Sequence, residues 1–182
     1  GLKKEACPWN LAPTASTTAS LAMGDALAIC LAKRKGFREE DFAFLHPGGS
    51  LGKKLIKVRD LMRKGKSNPV VSGTATVKKA LLAITSARAG SCAVVDQNGK
   101  LKGIFTDGDL RRHLKENGVS ILSKSIGPFA TKRPITINEE KLAAEALQLL
   151  RDKNIDELPV VDQKGRAVGL LDVQDLLKAG FV

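Results

Sequence analysis

Two aspartates in matched surroundings are the residues best suited to bind a ligand. Asp109 follows Thr106 by three positions in "GIFTDGDL", and Asp175 follows Asp172 by three positions in "GLLDVQDL". Threonine and aspartate are good helix N-caps, and a carboxylate three positions later falls in the first helical turn, where the helix dipole favours it. There it can accept hydrogen bonds from a ligand that lies across the turn, such as a ribose diol.

His46 is the other residue with chemical potential. It begins a His-Pro-Gly-Gly turn, whereas the second histidine, His113, lies among basic residues on a helix that we expect to face water. An unperturbed imidazole has a pKa near neutrality, so His46 suits proton transfer as a general base. A simple turn residue is the alternative interpretation.

A tandem repeat must position the two aspartates. The stretch from Val94 to Leu110 occurs again from Val160 to Leu176, displaced by 66 residues. Each copy has an apolar run, a glycine-containing turn (Asn98-Gly99 or Lys164-Gly165), a second apolar run and a helix start. This pattern predicts strand, hairpin turn, strand and helix in both copies. We call Thr106 to Asp109 the first signature and Asp172 to Asp175 the second signature.

The two signatures resemble the Gly-apolar-apolar-Thr-x-x-Asp-Leu motif of CBS domains, and together they resemble a CBS pair, or Bateman module. The resemblance covers Leu55 to the C-terminus. It implies an α/β (α+β) fold of two small units related by a pseudo-twofold axis, with two clefts that often bind nucleotides and regulate an attached enzyme or transporter. It also implies that Asp109 and Asp175 contact ribose and that Thr106 helps to hold phosphate. Asp172 replaces that threonine in the second copy, where we expect its charge to repel phosphate.

The first strands of the two units supply four more candidate ligand contacts. Val70, Val71, Ile135 and Thr136 occupy strands whose relatives in CBS pairs touch the base or sugar of the ligand, although core packing is an equal alternative for them. The other elements follow from periodicity and turn signals. We expect helices over Val58–Met62, Thr76–Arg88 and, capped by Asn138, up to Lys153, with extended segments over Pro69–Ser72 and Arg133–Ile137.

An apolar helix precedes the repeat. The sequence predicts a helix over Ala15–Lys35 that is apolar on nearly all sides from Leu21 to Leu31, so one buried face cannot cover it. A short helix over Glu39–Leu45 leads to His46. We expect this region to be the last part of a domain whose remainder lies upstream.

The segments "CPWNLAPTASTTASLAMGDALA" and "FLHPGGSLGKKL", followed by a CBS pair, resemble the D-arabinose-5-phosphate isomerases. In that family a sugar isomerase (SIS) domain precedes two CBS domains. The resemblance implies a SIS remnant over residues 1–52, CBS domains over 55–118 and 122–182, and a catalytic role for His46. The family converts D-arabinose 5-phosphate to D-ribulose 5-phosphate for the biosynthesis of Kdo, a sugar acid of lipopolysaccharide. Its phosphosugar-binding loops and other catalytic residues lie upstream, so we expect this chain to be inactive alone.

Composition narrows the function classes. The chain has 182 residues, of which 43% are hydrophobic and 27% charged, as in ordinary globular proteins. The longest apolar stretch, Ser20 to Ala32, is interrupted by Asp25 and is too short to cross a bilayer. Cys7, Cys30 and Cys92 lack metal-ligand spacing. We therefore expect a cytoplasmic protein with no membrane contact, no metal and no cofactor.

The net charge of +11 is concentrated in a basic run, with seven Lys or Arg residues between Leu51 and Lys66. Such a run can attract phosphorylated ligands or nucleic acid, but we favour a solvated linker because the chain has few aromatic residues for base stacking.

Three functions remain open. The first is a regulatory CBS pair of an arabinose-5-phosphate isomerase that senses a nucleotide or sugar nucleotide, with a cytidine sugar nucleotide as first candidate and adenine nucleotides as second. The second is an oligomerisation module with empty clefts, and the third is nucleic-acid binding through the basic run, which we consider unlikely. We expect a homo-oligomer, either a dimer or a tetramer, because CBS pairs associate through their helices.

Overall fold

The computed structural model describes residues 3–38, 41–42 and 55–181. These residues belong to two compact units, Gly1–Pro47 and Gly48–Val182, which are described separately. His46 and most of the helix expected over Glu39–Leu45 lie outside the described residues.

The first unit contains one long helix, α1 (Ala15–Arg34), close to the predicted span. Its N-terminus is capped from a distance, because the Glu5 carboxylate accepts hydrogen bonds from the backbone N–H groups of Thr14 at 2.8 Å and Ser16 at 3.1 Å. The hydrogen bonds from Ser16 and Thr14 lower the pKa of Glu5 to about 2. The sequence identified where the helix starts but not this cap.

Helix α1 carries exposed apolar side chains. No residue of the helix is buried, and its largest apolar side chains stay mostly exposed: Leu21, Met23, Leu27, Ile29 and Leu31. By length and composition it is the one helix among the described residues that could cross a membrane, with a mean hydropathy of 1.3 over an 18-residue window. That apolar character is weak and is interrupted by Asp25, so we assign no membrane span.

The second unit contains both repeats, each with a sheet and helices on it. A short helix, α2 (Val58–Leu61), comes first. The first repeat then has a four-stranded sheet in the order β1-β2-β3-β4, in which only β1 and β2 are parallel. Its elements are β1 (Val70–Ser72), α3 (Val77–Ala87), β2 (Ser91–Val95), β3 (Leu101–Thr106), α4 (Asp107–Asn117) and β4 (Thr131–Lys132).

The second repeat has a three-stranded sheet in the order β5-β6-β7, with β5 parallel to β6 and β6 antiparallel to β7. Its elements are β5 (Ile137–Asn138), α5 (Ala143–Lys153), β6 (Glu157–Val161), β7 (Ala167–Asp172) and α6 (Val173–Lys178). Both hairpins therefore confirm the predicted strand, turn, strand and helix order.

The start of α5 corrects the sequence-based prediction. Asn138 does not cap this helix but lies in β5, and its side-chain oxygen accepts the N–H of Glu140 at 2.9 Å in the turn that follows. The helix begins five residues later, at Ala143, and the Glu145 carboxylate accepts the N–H of its N-cap, Leu142, at 2.9 Å. A local turn at Asn138 competes with capping, as is common for asparagine.

The two repeats meet through a reciprocal pair of hydrogen bonds. The N–H of Leu101 donates to the carbonyl of Gly165, and the N–H of Ala167 donates to the carbonyl of Gly99, both at 3.0 Å. Each glycine has a positive φ, 75° at Gly99 and 73° at Gly165, which the hairpin turn requires. The exchange of equivalent bonds is the signature of a pseudo-twofold axis.

The cores of the repeats are completed crosswise. Val58 and Met62, which precede the first repeat in the chain, are buried in the core of the second repeat. Ile121 and Ile126, which precede the second repeat, are buried in the core of the first. The segment before each repeat thus packs on the other repeat, and the segment ending at Arg63 is brought beside the second signature.

Candidate functional site

The first signature forms a complete helix cap around a buried carboxylate. The hydroxyl of Thr106 accepts the N–H of Asp109 at 3.1 Å, and Asp109 Oδ2 accepts the N–H and the hydroxyl of Thr106, both at 2.9 Å. Asp109 is only 4% exposed. Because a threonine hydroxyl has one proton, Thr106 has no second one to donate to a phosphate while this cap is formed.

Asp109 lines a cleft. The only protein partner of its other oxygen, Oδ1, among the described hydrogen bonds is Arg112 at 2.5 Å, and the Arg112 side chain is 67% exposed. The cleft has a volume of about 850 Å³, in the range of small-molecule sites. We call it the Asp109 cleft. Its lining includes Thr106, Asp109, Arg111, Arg112, Arg133 and Ile135 and, from the second repeat, Glu157 and Asp172.

Arg133 has an unusual backbone in this cleft. Its φ is +52°, in the left-handed region that residues other than glycine, asparagine and aspartate seldom adopt. This is unusual for a residue that precedes a proline, here Pro134, since such residues favour extended backbone. Such strain is often found at ligand sites. Arg133 is the third arginine that lines the Asp109 cleft, together with Arg111 and Arg112.

The second signature has the same cap but a different partner. Asp172 Oδ1 accepts the N–H of Gln174 at 2.8 Å, as expected for an N-cap. Both carboxylates also bind Arg63, whose Nη2 lies 2.7 Å from Asp172 Oδ2 and whose Nε lies 2.8 Å from Asp175 Oδ2. The remaining nitrogen, Nη1, donates to the carbonyl of Arg88 at 2.9 Å. All three side chains of this ion-pair cluster are 13 to 16% exposed.

The role of Arg63 was not predicted, because this residue belongs to the basic run between Leu51 and Lys66. Of the five cations of that run that the structure describes, three pair with acids of the second repeat. Besides Arg63, Lys57 and Arg59 reach Glu140 at 2.9 and 2.5 Å. The expectation of a solvated linker is therefore wrong for Arg63, whereas the pairs of Lys57 and Arg59 with Glu140 stay open to solvent.

Glu157 links the two repeats through the first residues of the equivalent strands β2 and β6. Its Oε1 accepts the N–H of Gly90 at 2.7 Å, and its Oε2 accepts the hydroxyl of Ser91, which is the equivalent residue of the first repeat. Burial raises the pKa of Glu157 above its ordinary value, and the neighbouring charge of Asp172 adds to this rise. The hydrogen bonds from Gly90 and Ser91 oppose it.

The remaining predicted site residues lie in different environments. Ile135 is 39% exposed and lines the Asp109 cleft. Val71 is 5% exposed and packs in the first core. Val70 and Thr136 are half-buried, and His46 lies outside the described residues. Over the residues that the structure describes, no three His, Cys, Asp or Glu side chains are grouped to hold a metal ion.

The chain is similar in sequence to curated isomerases. It is 49% identical over 180 residues to arabinose 5-phosphate isomerase KdsD of Pseudomonas aeruginosa, covering 98% of this chain and 55% of that protein. It is 47% identical over 180 residues to KdsD of Escherichia coli strain K12, covering 98% of this chain and 54% of that protein. The chain therefore spans about half the length of the curated relatives it matches.

The chain is also similar in structure to CBS-pair proteins. It matches CBSX2 from Arabidopsis thaliana, solved with AMP, with a TM-score of 0.59 and 26% identity over 69% of this chain and 96% of that one. It matches the CBS pair of protein MJ0100, solved with 5′-methylthioadenosine and S-adenosyl-L-methionine, with a TM-score of 0.60 and 25% identity over 68% of this chain and 94% of that one.

A family model supplies the most direct comparison. The CBS domain model matches twice, over residues 58–116 and 124–181, so that each match contains one signature. Together these matches cover more than half of the chain, and the expected tandem CBS fold is confirmed. The chain belongs to the CBS domain family and carries two CBS domains in tandem.

Proposed function

We propose that this chain is the regulatory CBS pair of an arabinose-5-phosphate isomerase and that it senses a nucleotide in the Asp109 cleft. The observation that carries the proposal is the buried carboxylate of Asp109, which lines a cleft of about 850 Å³. Relatives in structure were solved with AMP or with adenosyl compounds, and relatives in sequence carry the isomerase name.

The chemistry of the cleft suits a nucleotide. Ribose hydroxyls would replace the exposed Arg112 at Asp109 Oδ1, and a charged acceptor makes such hydrogen bonds stronger than neutral ones. The released Arg112, together with Arg111 and Arg133, supplies positive charge for a phosphate. Thr106 stays in the cap and holds Asp109 in place. Ile135 offers an apolar surface for the base or the sugar.

The isomerase activity belongs to the same proposal. Interconversion of D-arabinose 5-phosphate and D-ribulose 5-phosphate moves a proton between C1 and C2, and an imidazole such as that of His46 suits this step. One histidine without groups to bind the phosphate and polarise the carbonyl lacks proximity and electrostatic stabilisation. We therefore propose a cytoplasmic enzyme of Kdo and lipopolysaccharide biosynthesis in which this chain regulates and does not catalyse alone.

A ligand screen tests the sensing role. Thermal unfolding of the chain should be measured with AMP, with cytidine monophosphate and with a cytidylyl sugar, using D-arabinose 5-phosphate as the comparison. A ligand at 100 times its Kd stabilises the folded state by about 2.7 kcal/mol, which raises Tm by several degrees. We expect a nucleotide to do so. If no nucleotide shifts Tm, the sensing role is wrong.

An assay of the isolated chain tests the catalytic part. Formation of D-ribulose 5-phosphate from D-arabinose 5-phosphate should not exceed the background rate. Turnover typical of an enzyme, roughly 1 to 1000 per second, would contradict the proposal that the chain is inactive alone.

Self-association is a second candidate function, favoured by the exposed apolar side chains of α1. Leu21, Met23, Leu27 and Ile29 are 65 to 69% exposed, and groups of exposed apolar residues usually mark an interface. We propose that the chain forms a dimer or a tetramer. Light scattering at tens of micromolar tests this, and a clean monomer would contradict it.

A further inference from the structure

The second signature is occupied from within the chain. Arg63 binds Asp172 and Asp175 with two of its nitrogens and the carbonyls of Arg88 and Ala87 with the third, the latter at 3.4 Å. We infer that Arg63 is the built-in occupant of the second signature site, so that the CBS pair binds one nucleotide per chain, in the Asp109 cleft. The single stoichiometry rests on the nucleotide binding proposed above.

The equivalent position in the first repeat explains why the two sites differ. The N–H of Arg63 donates to the carbonyl of Leu170 at 2.8 Å, and the N–H of Leu170 donates back at 3.2 Å. Thr131 pairs in the same way with Ile104, which is the equivalent of Leu170 in the repeat. Arg63 and Thr131 thus occupy matched places on the outer edges of β7 and β3. The short threonine leaves the Asp109 cleft open, whereas the arginine reaches both carboxylates.

The backbone holds Arg63 against the second repeat. A Cβ at Gly169 would lie 2.5 Å from Met62 Sδ and 3.0 Å from the carbonyl oxygen of Arg63, so only glycine permits this close approach. Met62 is 8% exposed and belongs to the second core. With its main chain paired and the neighbouring side chain buried, the Arg63 backbone cannot move away without disturbing that core.

Electrostatics favour the guanidinium over an external ligand. Asp172, Asp175 and Glu157 are all near this point, since Arg63 contacts the first two and Glu157 raises the pKa of Arg63 together with them, against the lowering effect of burial. Removing the arginine would leave these acids without their cation in a poorly hydrated place. Ribose hydroxyls carry no charge and cannot replace it.

Calorimetry with AMP tests the inference by counting binding sites. The wild-type chain should bind one AMP, and Asp109→Asn should abolish or strongly weaken that binding. The double variant Arg63→Thr with Asp172→Thr gives the second site the residues found at the first, and it should gain a second binding event. Arg59→Thr is the matched control, because Arg59 lies on the same segment and pairs with Glu140 instead, and it should still bind one AMP.

The outcomes separate this inference from the proposed function. Two AMP molecules on the wild type, or a folded double variant that still binds one, would overturn the role of Arg63. If the wild type binds neither AMP nor cytidine monophosphate but the double variant binds AMP, the proposed first site fails while the role of Arg63 stands. If the double variant does not fold, Arg63→Lys is the second variant to test. It keeps the positive charge and should still bind one AMP.

An NMR measurement decides the matter if no variant binds AMP. The Nε–H of Arg63 should give a signal that is absent in Arg63→Lys and exchanges slowly with water, because it is buried against Asp175. Asp175→Asn should shift this signal. Rapid exchange of the Arg63 signal in the wild type would overturn the inference without reference to nucleotide binding.

Discussion

The two signatures have nearly the same backbone and opposite accessibility. Asp109 and Asp175 both lie in the first turn of a helix, and both belong to a capping box. Asp109 is bound by Arg112, a 67% exposed side chain of its own helix. Asp175 is bound by Arg63, a 14% exposed side chain that comes from the other end of the CBS pair. The repeat therefore determines where each carboxylate lies, and a residue outside the motif determines whether a ligand can reach it.

The effect of Asp172 on the second site differs from the one expected from the sequence. From the sequence, this carboxylate was expected to repel a phosphate at the second site. In the structure its charge is paired with Arg63, so repulsion is no longer the main reason why the sites differ. The second site is closed by a partly buried ion-pair cluster, and the two sites remain unequal for that reason.

The largest expected effect is on stability. Replacing Arg63 by alanine leaves two partly buried carboxylates without their cation, and removing one member of a fully buried ion pair costs about 3 kcal/mol, which is an upper bound here. We expect the free energy of unfolding, measured by urea denaturation, to fall by up to that amount. Arg59→Ala is the control, with a smaller loss because its ion pair is exposed. Equal losses in the two variants would mean that the Arg63 cluster contributes no more than a surface pair.

The next effect is on binding. Asp109→Ala should weaken nucleotide binding by roughly 1.5 to 3 kcal/mol, the usual contribution of hydrogen bonds to a charged group. Asp175→Ala should change binding much less, because Arg63 already occupies that carboxylate. Calorimetry on the two variants gives both values. Equal losses, or a larger loss for Asp175→Ala, would mean that the ligand does not bind chiefly at the first signature.

A pH effect should follow from Glu157, which lies near the second signature. Its pKa in the folded state is raised by burial above the ordinary value of 4.5. Between these two pKa values the folded state holds a proton that the unfolded state has lost. The resulting stability is present below the lower pKa and is lost as pH rises through the higher one.

The variant Glu157→Gln isolates this contribution. It should lose less stability than the wild type as pH rises from about 4 to about 7, since it has no proton to release in that window. Urea denaturation of both proteins at several pH values gives the difference. A difference that is constant across this range would show that Glu157 does not titrate abnormally.

The smallest effect concerns the start of the CBS pair. Glu140→Ala removes the shared partner of Lys57 and Arg59, but these pairs are open to solvent. We expect a small loss of stability that disappears when salt is added, because salt screens exposed pairs more than buried ones. A loss as large as that of Arg63→Ala would place the important contact of this segment at Glu140.

The sequence predicted the features that depend on local order. The hairpins, the caps at Thr106 and Asp172 and the long helix α1 all follow from short-range patterns of turn residues, N-caps and apolar periodicity. The prediction failed at Asn138, where a turn and a helix cap use the same residue type. Such competition is decided by the strand pairing of β5, which is not a local property.

The role of Arg63 could not be predicted in the same way. Its partners Asp172 and Asp175 lie 109 and 112 residues further along the chain, and the crosswise packing of the segment before each repeat brings them together. The 66-residue repeat gave no signal for this, because it aligns Arg63 with Phe129 and not with Thr131. Arg63 and Thr131 are matched only by their pairing with Leu170 and Ile104, which the fold reveals.

The most direct test is a crystal structure of the chain grown with AMP. We expect one nucleotide per chain, with its ribose hydroxyls within hydrogen-bond distance of Asp109 and with Arg112 moved away. Arg63 should remain bound to Asp172 and Asp175. A nucleotide whose ribose binds Asp175, with Arg63 displaced, would contradict the inference that Arg63 closes the second signature.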